Sequence, residues 1–184
     1  EMCIRDSQAE FEKSILASKE KFQLYADFIC NLIVENFQLI YEPGDKLAVY
    51  AHTINMCTKL QEYIEDRFTE YSVNRYVGED VYEDLISADI VVTTPGSAGT
   101  GQDIKGLRRV LMTNAIKSSQ KNFQVAGRLR ELFELDSKGV VRDVVFLYLV
   151  CNDIPQQVDY HFFKRSKFRG KMKSQNEIET GFYL

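Results

Sequence analysis

The side chains best suited to phosphate chemistry lie together near residue 124. Gln124, Gly127, Arg128 and Arg130 fall within one predicted helical stretch. Arginine presents a rigid fork of N–H donors that matches the oxygens of a phosphate group. A solvated helix face, on which nearby glutamates pair with the arginines, explains the same residues equally well. Both interpretations stay open on these residues alone.

A glycine-rich loop at residues 95–103 follows a predicted strand that ends at Thr94. At the carboxyl end of a parallel strand, such a loop can bring backbone N–H groups close to a phosphate. Its glycines, Gly96, Gly99 and Gly101, do not follow the dinucleotide-binding order, and the chain contains no Gly-Lys-Thr/Ser phosphate-binding loop. A plain structural turn is as well supported as a ligand loop.

The same loop approaches the Gly-x-Ser-x-Gly elbow of α/β hydrolases. Ser97 would be the nucleophile, and Asp143 and His161 follow it in the chain order of those enzymes. However, Pro95 stands where the first glycine should be, and the residues after Ser97 do not begin an amphipathic helix. A small hydrolase is therefore the weaker alternative.

The most basic segment covers residues 164–173, in which six of ten residues are lysine or arginine. Lys164, Arg165 and Lys167 begin it. Such a segment can follow a nucleic-acid backbone, and it can equally be a solvated tail.

Composition limits the classes of protein to consider. The 184 residues include 23 basic and 27 acidic side chains, for a net charge of −4. This balance argues against binding to nucleic acid by overall charge, but it is compatible with a local basic patch. With 45% hydrophobic residues the chain can bury one core, which excludes disorder of the whole chain.

The length of the apolar runs and the spacing of the cysteines argue against two further classes of protein. The longest uncharged apolar run, at residues 144–151, is far shorter than the roughly 20 residues of a membrane span. Four widely separated cysteines and two histidines argue against a zinc site or a disulfide framework, and they fit a reducing cytosol.

Strands and helices alternate along the chain. The predicted strands cover residues 47–51, 71–77, 89–94, 109–113 and 140–150. The predicted helices cover residues 8–40 (as one helix or two), 53–68, 80–87, 119–135 and 155–169, with Thr53 and Asp80 as caps. Several strands are apolar throughout, which is typical of a parallel sheet with helices on both faces. We predict one α/β domain with a central, mostly parallel sheet.

The order of these features resembles that of motifs IV, V and VI in superfamily 2 DNA/RNA helicases. The matching segments are strand 47–51 with His52-Thr53, then Thr93-Thr94 with Gly101-Gln102-Asp103, then Gln124-x-x-Gly127-Arg128. The resemblance covers about residues 20–170 and is to the C-terminal RecA-like domain. The amino-acid sequence of residues 124–131 is most similar to the corresponding motif of phage and large-virus helicases.

The resemblance implies ATP, with Mg²⁺, as the nucleotide. The implied ATP-binding residues are Gly101, Asp103 and Gly127. Gln124 and Arg128 would face the phosphates across an interdomain cleft, with Arg128 as the arginine finger. The family usually has its second arginine at the place of Glu131, whereas this chain has Arg130. Which arginine completes the pair stays open.

The resemblance also implies a nucleic-acid partner, DNA before RNA. His52, Thr53, Thr93 and Thr94 would contact its backbone, and the charge pattern adds Lys164, Arg165 and Lys167. The phosphate loop and the Mg²⁺ ligands would lie in an N-terminal RecA-like domain of a longer chain. We therefore expect no metal site here, no activity of this fragment alone, no membrane contact, and a cytoplasmic location (the host cytoplasm for a phage protein).

The expected organisation has four parts. Residues 1–7 are taken as a non-native tail, 8–45 as a leading helical segment, 46–170 as the helicase C-terminal domain, and 171–184 as a polar tail. Besides the hydrolase, a non-catalytic nucleotide- or nucleic-acid-binding module remains as an alternative function.

Overall fold

Two helices lead into the sheet. The computed structural model describes residues 8–98, 104–113, 115–116, 118–127, 129 and 143–184. Helix α1 covers Gln8–Leu16 and helix α2 covers Lys19–Asn36, followed by a 3-10 turn at Gln38–Ile40. The Ser18 hydroxyl accepts a hydrogen bond from the Lys21 N–H at the start of α2, so the segment forms two helices.

The described strands form one five-stranded, parallel sheet. They are β1 (Lys46–Tyr50), β2 (Val73–Tyr76), β3 (Ile90–Thr93), β4 (Leu107–Met112) and β5 (Val145–Tyr148), in the order β2-β3-β1-β4-β5. Tyr50 pairs with Thr93 on one side and Met112 on the other, so the carboxyl ends of β1, β3 and β4 lie level at one edge. The predicted α/β class with a mostly parallel sheet is confirmed.

Within the described residues, four helices connect or follow the strands. They are α3 (Ile54–Arg67), α4 (Tyr82–Ser87), α5 (Ser119–Ala126) and α6 (Pro155–Phe168). The predicted cap of α3 is confirmed, because the Thr53 hydroxyl accepts a hydrogen bond from the Met56 N–H at 3.2 Å. Of the predicted helix 119–135, residues 128 and 130–135 lie outside the described residues, as do residues 140–142 of the last predicted strand.

The predicted cap of α4 is wrong. Val81, not Asp80, holds the cap position, and it makes no side-chain hydrogen bond there. The Asp80 carboxylate instead forms a two-pronged ion pair with Arg75, at 3.0 and 2.9 Å, and accepts a hydrogen bond from the Val77 N–H. These stronger, charge-assisted partners pull Asp80 towards β2.

Each central strand buries side chains on both faces of the sheet. Leu47 and Val49 of β1 pack into one cluster with α1, α2 and α3, whereas Ala48 and Tyr50 pack into a second cluster with Leu85 of α4. Side chains alternate between the faces along a strand. A run of apolar residues is therefore what a central parallel strand with helices on both faces requires.

The last residues pack back onto the domain. Phe182 stacks on Phe28 of α2 with the ring centroids 4.3 Å apart. Glu177 pairs with Arg165 at 2.7 Å and with His161 at 3.2 Å. The segment expected to be a polar tail thus makes both apolar and ionic contacts. None of the helices in the described part of the chain is long and apolar enough to cross a membrane.

Candidate nucleic-acid interface at the carboxyl edge of the sheet

A pocket of about 430 Å³ opens at the carboxyl edge of the sheet. Its walls come from segments that are far apart in the chain, because the carboxyl ends of parallel strands meet at one edge. The described lining residues are Gln8 of α1, His52 after β1, Thr94, Pro95 and Gly96 after β3, Ile116 and Ser118 after β4, Lys121 of α5, and Gln156 and Tyr160 of α6. His52 and Thr94, from the segments that resemble motifs IV and V, therefore meet at one pocket, whereas no described residue of the segment that resembles motif VI lines it.

The turn after β1 is held by a buried carboxylate. Glu12 of α1 is 0% exposed, and one of its oxygens accepts a hydrogen bond from the His52 N–H at 2.6 Å. The other oxygen accepts from both the N–H and the hydroxyl of Thr53, each at 2.7 Å. The phosphate contact by Thr53 stays a prediction, although in this structure both Thr53 donors already bind the Glu12 carboxylate. At this turn the His52 imidazole is the group left to face the pocket.

Sequence reasoning missed Glu12, although the chain carries a signal for it. Glu12 lies between Phe11 and Ile15, which are both buried in the core. A carboxylate on the apolar face of a helix needs hydrogen-bond donors, because burying an unpaired charge is strongly unfavourable. The position of Glu12 therefore predicts that its carboxylate has buried hydrogen-bond donors, but it does not identify which residues provide them.

The two threonines at the end of β3 differ in what they can contact. Thr93 is 0% exposed, and its hydroxyl donates to the Tyr76 carbonyl oxygen at 2.5 Å, which ties β3 to the end of β2. Its contact with a nucleic-acid backbone stays a prediction, although in this structure the hydroxyl is buried and its proton is already donated. Thr94 lines the pocket, and its hydroxyl oxygen accepts a hydrogen bond from the Ser97 N–H at 3.1 Å. That bond fixes the first turn of the glycine-rich loop.

The hydrolase alternative is not supported. The Ser97 hydroxyl lies 2.9 Å from the Thr94 hydroxyl and accepts a hydrogen bond from the Gly78 N–H. His161 pairs through Nδ1 with the Tyr148 hydroxyl at 2.9 Å and through Nε2 with Glu177. Ser97 and His161 thus have separate partners, and the structure assembles no nucleophile–base pair from them.

The pocket favours an anion. Lys121 is exposed and has no acidic partner among the described residues. Burial, and then the charge of Lys121, lower the pKa of His52 below its ordinary value of 6.5. None of the described lining residues is acidic. A second pocket, of about 320 Å³ beside β2, contrasts with it, because Glu65, Asp80 and Asp84 line that one.

Only part of the predicted nucleotide-binding set lies in the described residues. Gln124 is half-buried on α5, and Gly127 is exposed directly after that helix. The others, Gly101, Asp103, Arg128 and Arg130, lie outside the described residues. No cluster of histidine, cysteine, aspartate or glutamate that could hold a metal ion occurs in the part of the chain that the structure describes.

The basic segment divides into one buried and several exposed cations. Lys164 is 2% exposed, and its Nζ lies 3.8 Å from the centroid of the Tyr148 ring. Burial lowers its pKa to about 7. Its contact with a nucleic-acid phosphate stays a prediction, although in this structure the ammonium lies over the rings of Phe146 and Tyr148. Arg165 and Lys167 stay exposed, one paired with Glu177 and the other 5.3 Å from the Phe163 ring.

The comparisons with known proteins define the class of fold. No protein-family model and no curated protein matches this chain. It is similar to the solved Hef helicase domain of Pyrococcus furiosus, with a TM-score of 0.53 and 16% identity over 83% of this chain and 34% of that one. It is also similar to the C-terminal part of the Fun30 ATPase domain, with a TM-score of 0.57 and 14% identity over 84% of this chain and 46% of that one.

A third similar structure is T4 UvsW, with a TM-score of 0.56 and 15% identity over 89% of this chain and 35% of that one. The chain thus spans between about a third and a half of the length of these proteins. At such identities the likeness shows the fold: a RecA-like α/β arrangement of the kind found in helicase and ATPase domains.

Proposed function

We propose that the chain is the C-terminal RecA-like domain of an ATP-dependent nucleic-acid helicase or translocase of superfamily 2. The observation that carries this proposal is the convergence of His52, the Thr94–Gly96 turn and Lys121 at one pocket without a described acidic wall residue. The first two belong to the segments that resemble motifs IV and V, and Lys121 lies on the helix that leads to motif VI. The likeness to part of an ATPase domain supports the same assignment.

The nucleic-acid backbone would cross the carboxyl edge of the sheet. Lys121 and His52 would meet its phosphates by charge and hydrogen bonding, and the Thr94 hydroxyl and the Gly96 N–H would supply neutral donors. Arg165 and Lys167 would extend this path along α6. DNA is the proposed partner, with RNA as the second choice. A phage or large-virus origin remains a prediction from the amino-acid sequence of residues 124–131.

The nucleotide would bind on the side where α5 ends. Gln124 and Gly127 would face it together with Gly101, Asp103 and the arginine finger Arg128. ATP and Mg²⁺ would supply the phosphoryl chemistry, in which positioning and charge stabilisation dominate. We propose, as the resemblance to superfamily 2 helicases implies, that the Mg²⁺ ligands and the phosphate loop belong to an N-terminal RecA-like domain of the full-length protein. On this proposal the 184-residue chain alone has no ATPase activity.

Binding of a fluorescent, single-stranded oligodeoxynucleotide tests the proposal. We expect a dissociation constant in the range of about 10⁻⁴ to 10⁻⁶ M that weakens with added salt, as for sequence-independent binding. Lys121→Gln should weaken binding and flatten the salt dependence. Lys105→Gln is the matched control, because Lys105 is exposed just before β4, at the opposite edge of the sheet.

Two outcomes would contradict the proposal: no binding at low salt, or equal losses in both lysine variants. ATPase assays of the natural full-length protein separate a motor from a non-catalytic binding module. Stimulation of ATP turnover by single-stranded DNA supports the motor, and its absence supports the module.

A further inference from the structure

The pocket at the carboxyl edge has two kinds of wall. Lys121 and His52 supply its cationic and polar side, whereas Tyr160, Pro95 and Ile116 supply an aromatic and apolar side. A phosphate group gains nothing from the second side, because it binds through charge and hydrogen bonds. The volume of about 430 Å³ lies within the range of pockets for small organic ligands, about 300–1,000 Å³.

Tyr160 is one of the described residues that line the pocket. It lies on α6, half-buried, and its hydroxyl has no hydrogen-bond partner among the described residues. No ring of a described residue stacks on it. A half-buried ring without a stacking partner at the wall of a pocket is a platform on which another flat, apolar surface can lie.

Glu12 limits where a phosphate can bind. The N-terminus of α3 would ordinarily attract an anion, but the Glu12 carboxylate already occupies the N–H groups of His52 and Thr53. A phosphate is therefore directed to the side chains of Lys121 and His52. The apolar wall formed by Tyr160, Pro95 and Ile116 is then free to contact the base, which is the uncharged part of a nucleotide outside its sugar–phosphate backbone.

We propose that this pocket takes an unpaired base of a single-stranded nucleic acid, stacked on Tyr160, while the adjoining phosphates contact Lys121 and His52. The inference rests on the proposed function and makes it more specific. The strand must be single, because a base within a duplex has both faces covered and its edge paired. Stacking on an aromatic ring tolerates every base, so the pocket selects single strands without selecting sequence.

Two fluorescent oligonucleotides of equal length and charge test this inference: one of thymidines, and one of abasic tetrahydrofuran residues. We expect the wild-type chain to bind the thymidine strand roughly 5- to 100-fold more tightly, the range that stacking of one base supports. Tyr160→Ala should abolish this preference and Tyr160→Phe should keep it. Tyr160→Leu, which retains apolar volume without an aromatic face, replaces Tyr160→Ala if that variant does not fold.

Phe162→Ala is the matched control, because Phe162 is 60% exposed on the same helix and does not line the pocket. It should keep the preference. Equal affinity of the wild-type chain for both strands, loss of the preference in Phe162→Ala but not in Tyr160→Ala, or tighter binding of a duplex would each overturn the inference while leaving nucleic-acid binding intact. Failure to bind any of these strands would instead overturn the proposed function.

Discussion

The carboxylate of Glu12 accepts hydrogen bonds from both the main-chain N–H and the hydroxyl of Thr53, each at 2.7 Å. This contact joins the first helix of the chain to the turn that follows the central strand. It also places a negative charge against the N-terminus of α3, where the helix dipole favours it. Helix α1 is therefore part of the framework of the candidate interface, although it lies outside the helicase-like motifs.

The first prediction concerns the stability that this contact provides. Glu12→Ala removes the acceptor of the His52 and Thr53 N–H groups and of the Thr53 hydroxyl, and it empties a buried position, so the free energy of unfolding should fall by about 2–4 kcal/mol. Glu35→Ala, at an exposed position on α2, should change it by less than about 0.5 kcal/mol. Urea denaturation of both variants measures the difference. Equal, small losses would mean that water reaches the turn and replaces the carboxylate.

The second prediction concerns the buried ammonium of Lys164. Burial lowers its pKa from 10.5 to about 7, so between pH 7 and 10.5 the unfolded chain binds more protons at this residue than the folded chain does. The contribution of Lys164 to the free energy of unfolding should therefore rise with pH across that window. The full cost of burying the charged ammonium applies below pH 7. Lys164→Met should raise the free energy of unfolding at pH 6 by roughly 1–3 kcal/mol.

The gain from Lys164→Met should shrink as the pH rises towards 10, and the exposed control Lys167→Met should show no such dependence. Thermal denaturation at pH 6, 8 and 9.5 checks this. A loss of stability in Lys164→Met at pH 6 would show that the contact with the Tyr148 ring outweighs the cost of burying the charge.

The third prediction concerns the pH dependence of nucleic-acid binding through His52. Burial and the nearby Lys121 lower the pKa of the free imidazole below 6.5, and a bound phosphate raises it again. Because the bound state takes up the proton more readily, affinity for a single-stranded oligonucleotide should increase as the pH falls from about 7.5 to 5.5.

His52→Asn should flatten this rise relative to the wild-type chain, and fluorescence anisotropy at a series of pH values measures it. The pKa of Lys164, about 7, also lies within this pH range, so Lys164→Met is the control, and it should keep the rise. If the rise persists in His52→Asn and disappears in Lys164→Met, the titrating group is the buried lysine and not the histidine.

The fourth prediction concerns Arg128, the proposed arginine finger, which lies outside the described residues. Helix α5 ends at Ala126, so the assignment rests on the resemblance of Gln124-x-x-Gly127-Arg128 to motif VI, in which Arg128 holds the place of the finger. In the full-length protein, Arg128→Ala should therefore lower kcat for ATP by about 10³-fold, with a smaller effect on ATP binding. Arg130→Ala should lower kcat by a smaller factor. Steady-state ATPase rates of both variants test this assignment. A larger loss of kcat in Arg130→Ala than in Arg128→Ala would identify Arg130 as the finger.

The amino-acid sequence by itself determined the class of fold and the type of most elements. Apolar runs such as residues 47–51 and 89–94 indicate strands buried on both faces, and the stripe through Leu60 and Ile64 indicates α3. These patterns are local, because strand and helix periodicities are properties of a few neighbouring residues. The Thr53 cap was predictable for the same reason, since its partner lies three residues along the chain.

The tertiary structure alone decided which polar side chains stay available. Glu12 meets a turn that lies 40 residues further along the chain, and Lys164 is covered by the rings of β5. The Thr93 hydroxyl is used up by the neighbouring strand, and Tyr160 is brought to the pocket by the packing of α6. In each case the outcome depends on which surfaces meet after folding. A sequence pattern shows that a charged or aromatic side chain is present, but only the packed neighbours determine whether a ligand can reach it.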